Sequence, residues 1–319
     1  MKIYALVVTY NRKELLCECL DALLNQSRTL DKIIVIDNAS TDATEELFLK
    51  NGKYNNERIE YKRMTFNAGG SGGFYAGIKY ICEKADWVWV MDDDTIPSSR
   101  ALEELLQGLN SIKTNPISYL ASKIVGPNGE PMNLPTIDSR ATENGYSDWY
   151  MQLDEGILKI RTATFVSVLI NSSAIKKCGF PIPWYFIWGD DTEYTYRLTT
   201  EYGNAYFVGK SLVTHKRFNA KQLSVWTEEN PSRIKIYYYF VRNQLYNKAK
   251  YEKKTSVIRE ILLYELKCIR CLFQKSQTYK FERITVVNKG IFEFLLKKYD
   301  RKIEEKLVFE EAKENSEIK

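Results

Sequence analysis

Three adjacent carboxylates, Asp92, Asp93 and Asp94, close the stretch ADWVWVMDDDT that begins at Ala85. Like charges this close repel one another unless a cation sits between them. Alternate side chains on an extended backbone share a face, so Asp92 and Asp94 can chelate one hard divalent ion while Asp93 points elsewhere. A second acidic group, Asp190, Asp191 and Glu193, follows Phe186-Ile187-Trp188-Gly189 and opens a helical stretch whose dipole favours acidic residues in its first turn. The only histidine, His215, ends a strand-like segment in Val213-Thr214-His215-Lys216-Arg217-Phe218. Taken singly, these are equally an acidic turn, a helix cap and a packed histidine.

A nucleotide-type surface accompanies them. Thr9-Tyr10-Asn11-Arg12 and Asp37 stand at the carboxyl ends of the first two expected strands, where an open parallel sheet binds nucleotides. A carboxylate at Asp37 can accept from a uracil or thymine ring N–H, and Arg12 can meet a phosphate. The stretch Phe66-Asn67-Ala68-Gly69-Gly70-Ser71-Gly72-Gly73-Phe74 reads as a loop whose backbone can approach a ligand closely and present N–H groups to anionic oxygen. It fits neither GxGxxG nor a Walker loop, because no lysine follows the last glycine.

The elements that must hold these residues follow from periodicity. Ile3–Thr9 is a β-branched apolar run, and Lys13–Leu24 carries a helical stripe of Leu15, Leu16, Cys19, Leu20, Leu23 and Leu24. Lys32–Ile36 is a second strand; Ser40 or Thr41 would cap a helix through Phe48. Ile59–Arg63 is a third strand, then come the glycine loop, a helix, and Trp87–Met91 as a buried strand delivering the aspartates to the sheet edge. This alternation predicts an α/β fold with a mainly parallel, doubly wound sheet. Thr164–Ile170 is strand-like, Phe180–Trp184 a rigid aromatic loop, and Arg233–Asn247 a helix closing the site, with Arg242 facing either a ligand or the core. Ile258–Phe273 and Ile284–Lys298 read as amphipathic helices, and Glu304–Lys319 as a polar tail.

With 22 Tyr, 14 Phe and 6 Trp the chain of 319 residues can build a sizeable core. No signal peptide is expected, and no run approaches the roughly 18 apolar residues of a membrane span. The six cysteines are scattered, which suits a reducing cytoplasm. Cys268-Ile269-Arg270-Cys271 lacks the second pair a zinc site needs. Net charge is +5, yet Ser232–Lys302 holds 18 Lys/Arg against 6 Asp/Glu, so the rest is net negative. Such a basic helical segment suits an anionic membrane surface, a solvated helix pair or a second subunit. No nucleic-acid motif accompanies the charge, and nucleic acid is excluded as a partner.

VVTYNR, VIDNASTD, NAGGSGGF and MDDDT, in this order and spacing, resemble the bacterial family-2 glycosyltransferases of GT-A nucleotide-sugar fold, and within them the galactofuranosyltransferases. The resemblance covers residues 1–245: a nucleotide-sugar half (1–115) and an acceptor half (116–245), followed by a helical basic region at 246–319. It implies an inverting transfer of a sugar, galactofuranose first, from UDP to a lipid-linked or oligosaccharide acceptor of a cell-surface polysaccharide. Thr9, Tyr10, Arg12, Asp37, Asn67, Gly69, Gly70, Asp92 and Asp93 would hold the donor; Asp92, Asp94 and His215 would hold Mn²⁺ or Mg²⁺. Asp191 maps onto the family's catalytic base, with Asp190, Trp188 and Glu193 on the acceptor. With the basic segment and the scattered cysteines, the expected location is the cytoplasm, peripheral on the inner face of the cell membrane, the last helices meeting either that membrane or a second copy in a homo-oligomer. The family's usual Asp-Asp-Gly-Ser is here Asp37-Asn38-Ala39-Ser40, which leaves Asn38 without an implied role. A dTDP-rhamnose donor is the nearest alternative. A nucleotidyltransferase would show a basic glycine-rich first turn, and a non-catalytic sugar-nucleotide-binding protein would not need Asp190, Asp191 and His215.

Overall fold

The computed structural model describes residues 1–217 and 222–310. Strand β1 (Ile3–Thr9), helix α1 (Lys13–Leu24), β2 (Lys32–Asp37), β3 (Ile59–Arg63), α2 (Gly69–Ile81) and β4 (Trp87–Asp92) follow the predicted alternation. These four strands pair in parallel, in the order β3-β2-β1-β4. Successive side chains alternate between two faces, as the period of a strand demands. Trp87, Trp89 and Met91 pack with Ile3, Ala5 and Val7 beneath Leu16, Leu20 and Leu23 of α1. Val88 and Val90 pack with Leu6 and Ile34 against Phe74, Ile78 and Ile81 of α2.

Beyond β4 the sheet becomes mixed. The short β5 (Thr95–Pro97) follows the aspartates, then α3 (Ala101–Ser111), β6 (Ile117–Val125), β7 (Thr136–Ile137) and β8 (Ile157–Thr162). Strand β9 (Val168–Asn171), helices α4 (Ser172–Cys178) and α5 (Asp190–Glu201), and β10 (Asn204–His215) complete it. The sheet runs β3-β2-β1-β4-β9-β6-β10-β8-β7, with β5 paired to β10 off this path. β9 inserts antiparallel between β4 and β6. Of the strand expected over Thr164–Ile170, only Val168, Leu169 and Ile170 belong to β9.

Helices α6 (Pro231–Ile234), α7 (Tyr237–Tyr251), α8 (Lys254–Phe273) and α9 (Lys280–Leu295) form a core of their own around Tyr237, Val241, Tyr264 and Val287. The expected helix over Arg233–Asn247 is thus two, and α7 runs through the expected boundary at 245/246. Cys268 and Cys271 are free thiols buried on the inner side of α8.

Three local expectations fail for identifiable reasons. The helix expected through Phe48 is a 3₁₀ turn at Thr44–Phe48, because Asp42 accepts from the Thr44 hydroxyl and neither Ser40 nor Thr41 caps it. The glycine stretch is the first turn of α2 rather than a loop, since the helix starts at Gly69. The tail expected from Glu304 instead forms the short α10 (Ile303–Lys306), and Leu307 and Phe309 then pack against the α2 side of the core. The remainder of that tail, 311–319, and Phe218 lie outside the described residues.

Gly69 has φ +73°, and a Cβ there would stand 2.1 Å from the Phe186 carbonyl oxygen. At Gly70 an added Cβ would meet nothing nearer than Phe74 at 4.0 Å. Gly69→Ala should therefore destabilise the ligand-free fold by about 2–4 kcal/mol, from strain and overpacking together. Gly70→Ala should stabilise it by about 0.5–1 kcal/mol through helix propensity. Denaturant unfolding of the two variants checks the pair, and equal effects would contradict this packing.

Candidate active site

Topology assembles the acidic cluster. β1 and β4 run side by side with Val8 opposite Asp92, so Thr9 and Asp93 meet just past the pair. The Thr9 hydroxyl donates to Asp93 Oδ2 at 2.8 Å, turning Asp93 away from its neighbours as the alternation predicts. β5 folds back along β10 with Thr95 opposite His215, which carries the imidazole to Asp94 from far along the chain. The Lys216 N–H donates to the Asp94 carbonyl at 2.8 Å and fixes that crossing. Asp92, Asp94 and His215 thereby offer ligand atoms all within 4.8 Å of one another, the one such group among the described residues.

Charge crowding dominates this corner. Burial, then the charges of Asp94 and Asp93, hold the Asp92 carboxyl well above the usual carboxylate range. Burial also pushes Asp93 up to about 6, against the pull of Arg12. Burial works to raise Asp94 as well, but His215 and Arg12 outweigh it and hold that group low. Arg12 Nη1 lies 3.2 Å from Asp93 Oδ1 and 2.8 Å from Asp94 Oδ2. Its guanidinium therefore serves the carboxylates here rather than standing free for a phosphate.

The residues present fit a divalent cation. Asp94 Oδ1 is buried without a hydrogen-bond partner, although His215 Nε2 is 3.1 Å away. On the far side of the ring, Nδ1 sits 2.9 Å from Asn133 Oδ1. With that oxygen as acceptor, Nδ1 carries the proton and Nε2 keeps its lone pair for a metal. Two carboxylates with one imidazole suit Mn²⁺ or Mg²⁺ better than Ca²⁺. Asn133 was not foreseen; the Gly-Pro-rich stretch around it signals only a turn.

A second acidic pair faces the same space. Asp92, Asp94, His215, Trp188, Asp190 and Asp191 line one cavity of about 990 Å³. Burial, then the charge of Asp191, raise Asp190 to about 7. Burial also raises Asp191, opposed by Thr192, whose N–H donates to Oδ1 at 2.6 Å. The approach to this pair is a strained backbone. Phe186 has φ +65° and ψ −58°, with the Ile187 N–H donating to the Tyr185 carbonyl at 2.8 Å, a γ-turn. Trp188 and Gly189 follow at φ +63° and +90°. Buried Asn243 on α7 over-determines this conformation, its amide donating to the carbonyls of Tyr185, Ile187 and Trp188 at 3.0, 3.0 and 2.8 Å. Trp188 leans on Tyr237 with ring centroids 4.8 Å apart, while lining the cavity.

Several expected contacts are differently employed. Asp37 is fully buried; Oδ1 accepts from the Ser40 N–H at 2.8 Å, and Oδ2 from the Tyr61 hydroxyl and from Arg63 at 3.3 Å. It holds its own loop, and a base N–H could reach it only if those partners moved. Tyr10 is exposed. Asn67 Oδ1 accepts from the Gly69 N–H at 2.8 Å, while Asn38 donates to the Gly69 carbonyl at 3.0 Å. Asn67 thus shapes the start of α2, and Asn38 gains a role tying it to β2; Gly70 reaches the cavity wall. Glu193 is buried and already paired: Arg197 donates twice at 3.0 Å, Lys250 at 2.6 Å and Tyr251 at 2.5 Å. These donors hold its carboxyl below the usual range despite burial, so Glu193 joins α5 to α7 rather than holding an acceptor. Arg242, likewise buried, donates to the Trp184 carbonyl at 3.0 Å and belongs to the core.

Comparison with known proteins agrees with this geometry. The family model described as Glycosyl transferase family 2 matches residues 4–163. Galactofuranosyltransferase GlfT1 of Mycolicibacterium smegmatis is 28% identical over 198 residues, 61% of this chain and 64% of the relative. The Mycobacterium tuberculosis protein of the same name is 29% identical over 200 residues, again 61% and 64%. The match thus spans less than two thirds of these relatives. S. aureus TarS 1-349, solved with UDP-GlcNAc, superposes with a TM-score of 0.56 at 15% identity, covering 91% of this chain and 81% of that one. At that identity the likeness concerns the fold alone, a GT-A sheet with a helical C-terminal region.

Removing the Asn133 amide should release the imidazole while leaving all three ligands in place. Asn133→Ala is expected to weaken Mn²⁺ binding by about 10–100-fold, the range seen when partners of a ligating histidine are lost. Calorimetric titration of Mn²⁺ reads this directly, and unchanged affinity would show that Asn133 does not position His215.

Proposed function

The chain belongs to glycosyl transferase family 2, and on that premise we propose that it moves galactofuranose from UDP-galactofuranose onto a hydroxyl of a cell-surface polysaccharide acceptor carried on a lipid, inverting the anomeric carbon. The observation that carries this reading is the shared cavity, with the Asp92–Asp94–His215 group on one wall and Asp190–Asp191 on another. The similarity to the mycobacterial galactofuranosyltransferases supports the choice of sugar.

A divalent cation held by Asp92, Asp94 and His215 would offset the charge of the donor diphosphate. The chain's own groups do the rest. Asp191 takes the proton of the acceptor hydroxyl as that oxygen bonds to the anomeric carbon. The bond from that carbon to the phosphate oxygen breaks, and its electron pair leaves with UDP. Asp190 orients the acceptor, and the indole of Trp188 offers a face to a sugar ring. Asp93, held by Thr9 and Arg12, keeps the end of β4 in place.

Two experiments test this. Across UDP-galactofuranose, UDP-glucose, UDP-GlcNAc and dTDP-rhamnose with Mn²⁺, nucleoside diphosphate release should be greatest with the first. Greater release from dTDP-rhamnose would replace the donor assignment. For the base, Asp191→Asn should cut turnover by about 10²–10⁴-fold while UDP binding stays near normal. Burial raises the Asp191 carboxyl, and the base must be ionised to act, so wild-type turnover should climb with pH on a limb above the ordinary carboxylate range. That limb should vanish in the variant. Loss of UDP affinity in Asp191→Asn, or near-normal turnover, would remove Asp191 from the role.

A further inference from the structure

Helix α8 carries two apolar stripes, and internal packing accounts for only one. Val257, Tyr264, Cys268 and Cys271 are buried on the side that faces α7 and α9. Ile258, Leu262, Leu266, Ile269 and Phe273 are 59, 58, 60, 53 and 81% exposed. At 3.6 residues per turn these five fall within an arc of about 80° turned away from the buried side. Arg259 and Arg270 border that arc, with Lys267 beyond them, and all three are exposed. None of the three has an ion-pair partner among the described residues.

We propose that this outer stripe of α8 lies flat on an anionic lipid surface, its aliphatic side chains in the headgroup boundary and its guanidiniums on lipid phosphates. Among the described residues no helix is long and apolar enough to cross a membrane, so the contact is one of lying on rather than spanning. Charge selects this occupant over a second copy of the chain. An antiparallel pairing of two such faces would set Arg259 of one copy beside Arg270 of the other, whereas anionic headgroups neutralise them. The placement also concerns the site. Glu260, two residues on from Ile258 and so on the far side of α8, lines the same cavity as Asp190 and Asp191. A helix lying on the membrane by its outer stripe holds that cavity one helix diameter, roughly 10 Å, from the bilayer, within reach of a lipid-carried acceptor. This lipid contact is the same whichever sugar the donor carries.

Co-sedimentation of the full chain with phosphatidylcholine vesicles, with and without phosphatidylglycerol, tests it. The protein should pellet only with the anionic vesicles and be released as salt is raised. Leu262→Asp/Leu266→Asp and Arg259→Glu/Arg270→Glu should each lower the partition coefficient by about tenfold or more, with unchanged melting temperature. Protein left in the supernatant with anionic vesicles would overturn the proposal, as would equal binding to neutral ones. So would a dimer seen by analytical ultracentrifugation that the leucine variant dissolves.

Discussion

Repulsion among carboxylates at the end of β4 is the constraint on which the site depends. Asp92, Asp93 and Asp94 emerge together from a strand buried on both faces, and Asp191 adds its charge to Asp92 across the cavity. The protein answers with the guanidinium of Arg12, between β1 and α1, and the imidazole of His215, at the end of β10. Arg12 takes Asp93 and one oxygen of Asp94, leaving the other Asp94 oxygen, Asp92 and His215 Nε2 turned to the same point. A group so arranged holds a divalent cation more readily than it holds three negative charges.

Delivery of that cluster explains the mixed sheet. A purely parallel sheet would have carried β4 to its edge and stopped there. Inserting β9 antiparallel beside β4, and folding β5 back onto β10, brings a residue from the second half of the chain into the first half's binding edge. The strained segment at 186–189 does the corresponding work for Asp190 and Asp191, and α7 holds it through Asn243. The helical C-terminal region is therefore coupled to the Asp190–Asp191 side of the cavity and is more than an appendage.

The strand order of the first half is legible in the sequence because its signals are local. Strand and helix periodicities in the first four strands, and the aspartates after Met91, depend only on neighbours along the chain. The metal group was legible only in part: Asp92 and Asp94 follow from alternation, but His215 was placed by family resemblance, since nothing local reports the β5–β10 crossing. Glu193 is assigned to an acceptor by its motif, and Arg242 stays open between ligand and core, because charge in a motif looks the same whether it meets a ligand or a buried partner from another element. Asn133 and Asn243 went unseen for the converse reason: a single amide in a turn or aromatic helix carries no pattern. Leu307 and Phe309 were lost among charged neighbours in what reads as a tail.

The central claim is that the sheet edge binds a divalent cation between two carboxylates and an imidazole, next to a nucleoside diphosphate. Crystals grown with UDP and Mn²⁺, measured at the manganese absorption edge, test it most directly. The account predicts one strong anomalous peak in coordinating contact with Asp92, Asp94 and His215 Nε2, and with the diphosphate oxygens. UDP bound in the cavity with no peak there, or a peak on the Asp190–Asp191 pair instead, would contradict it.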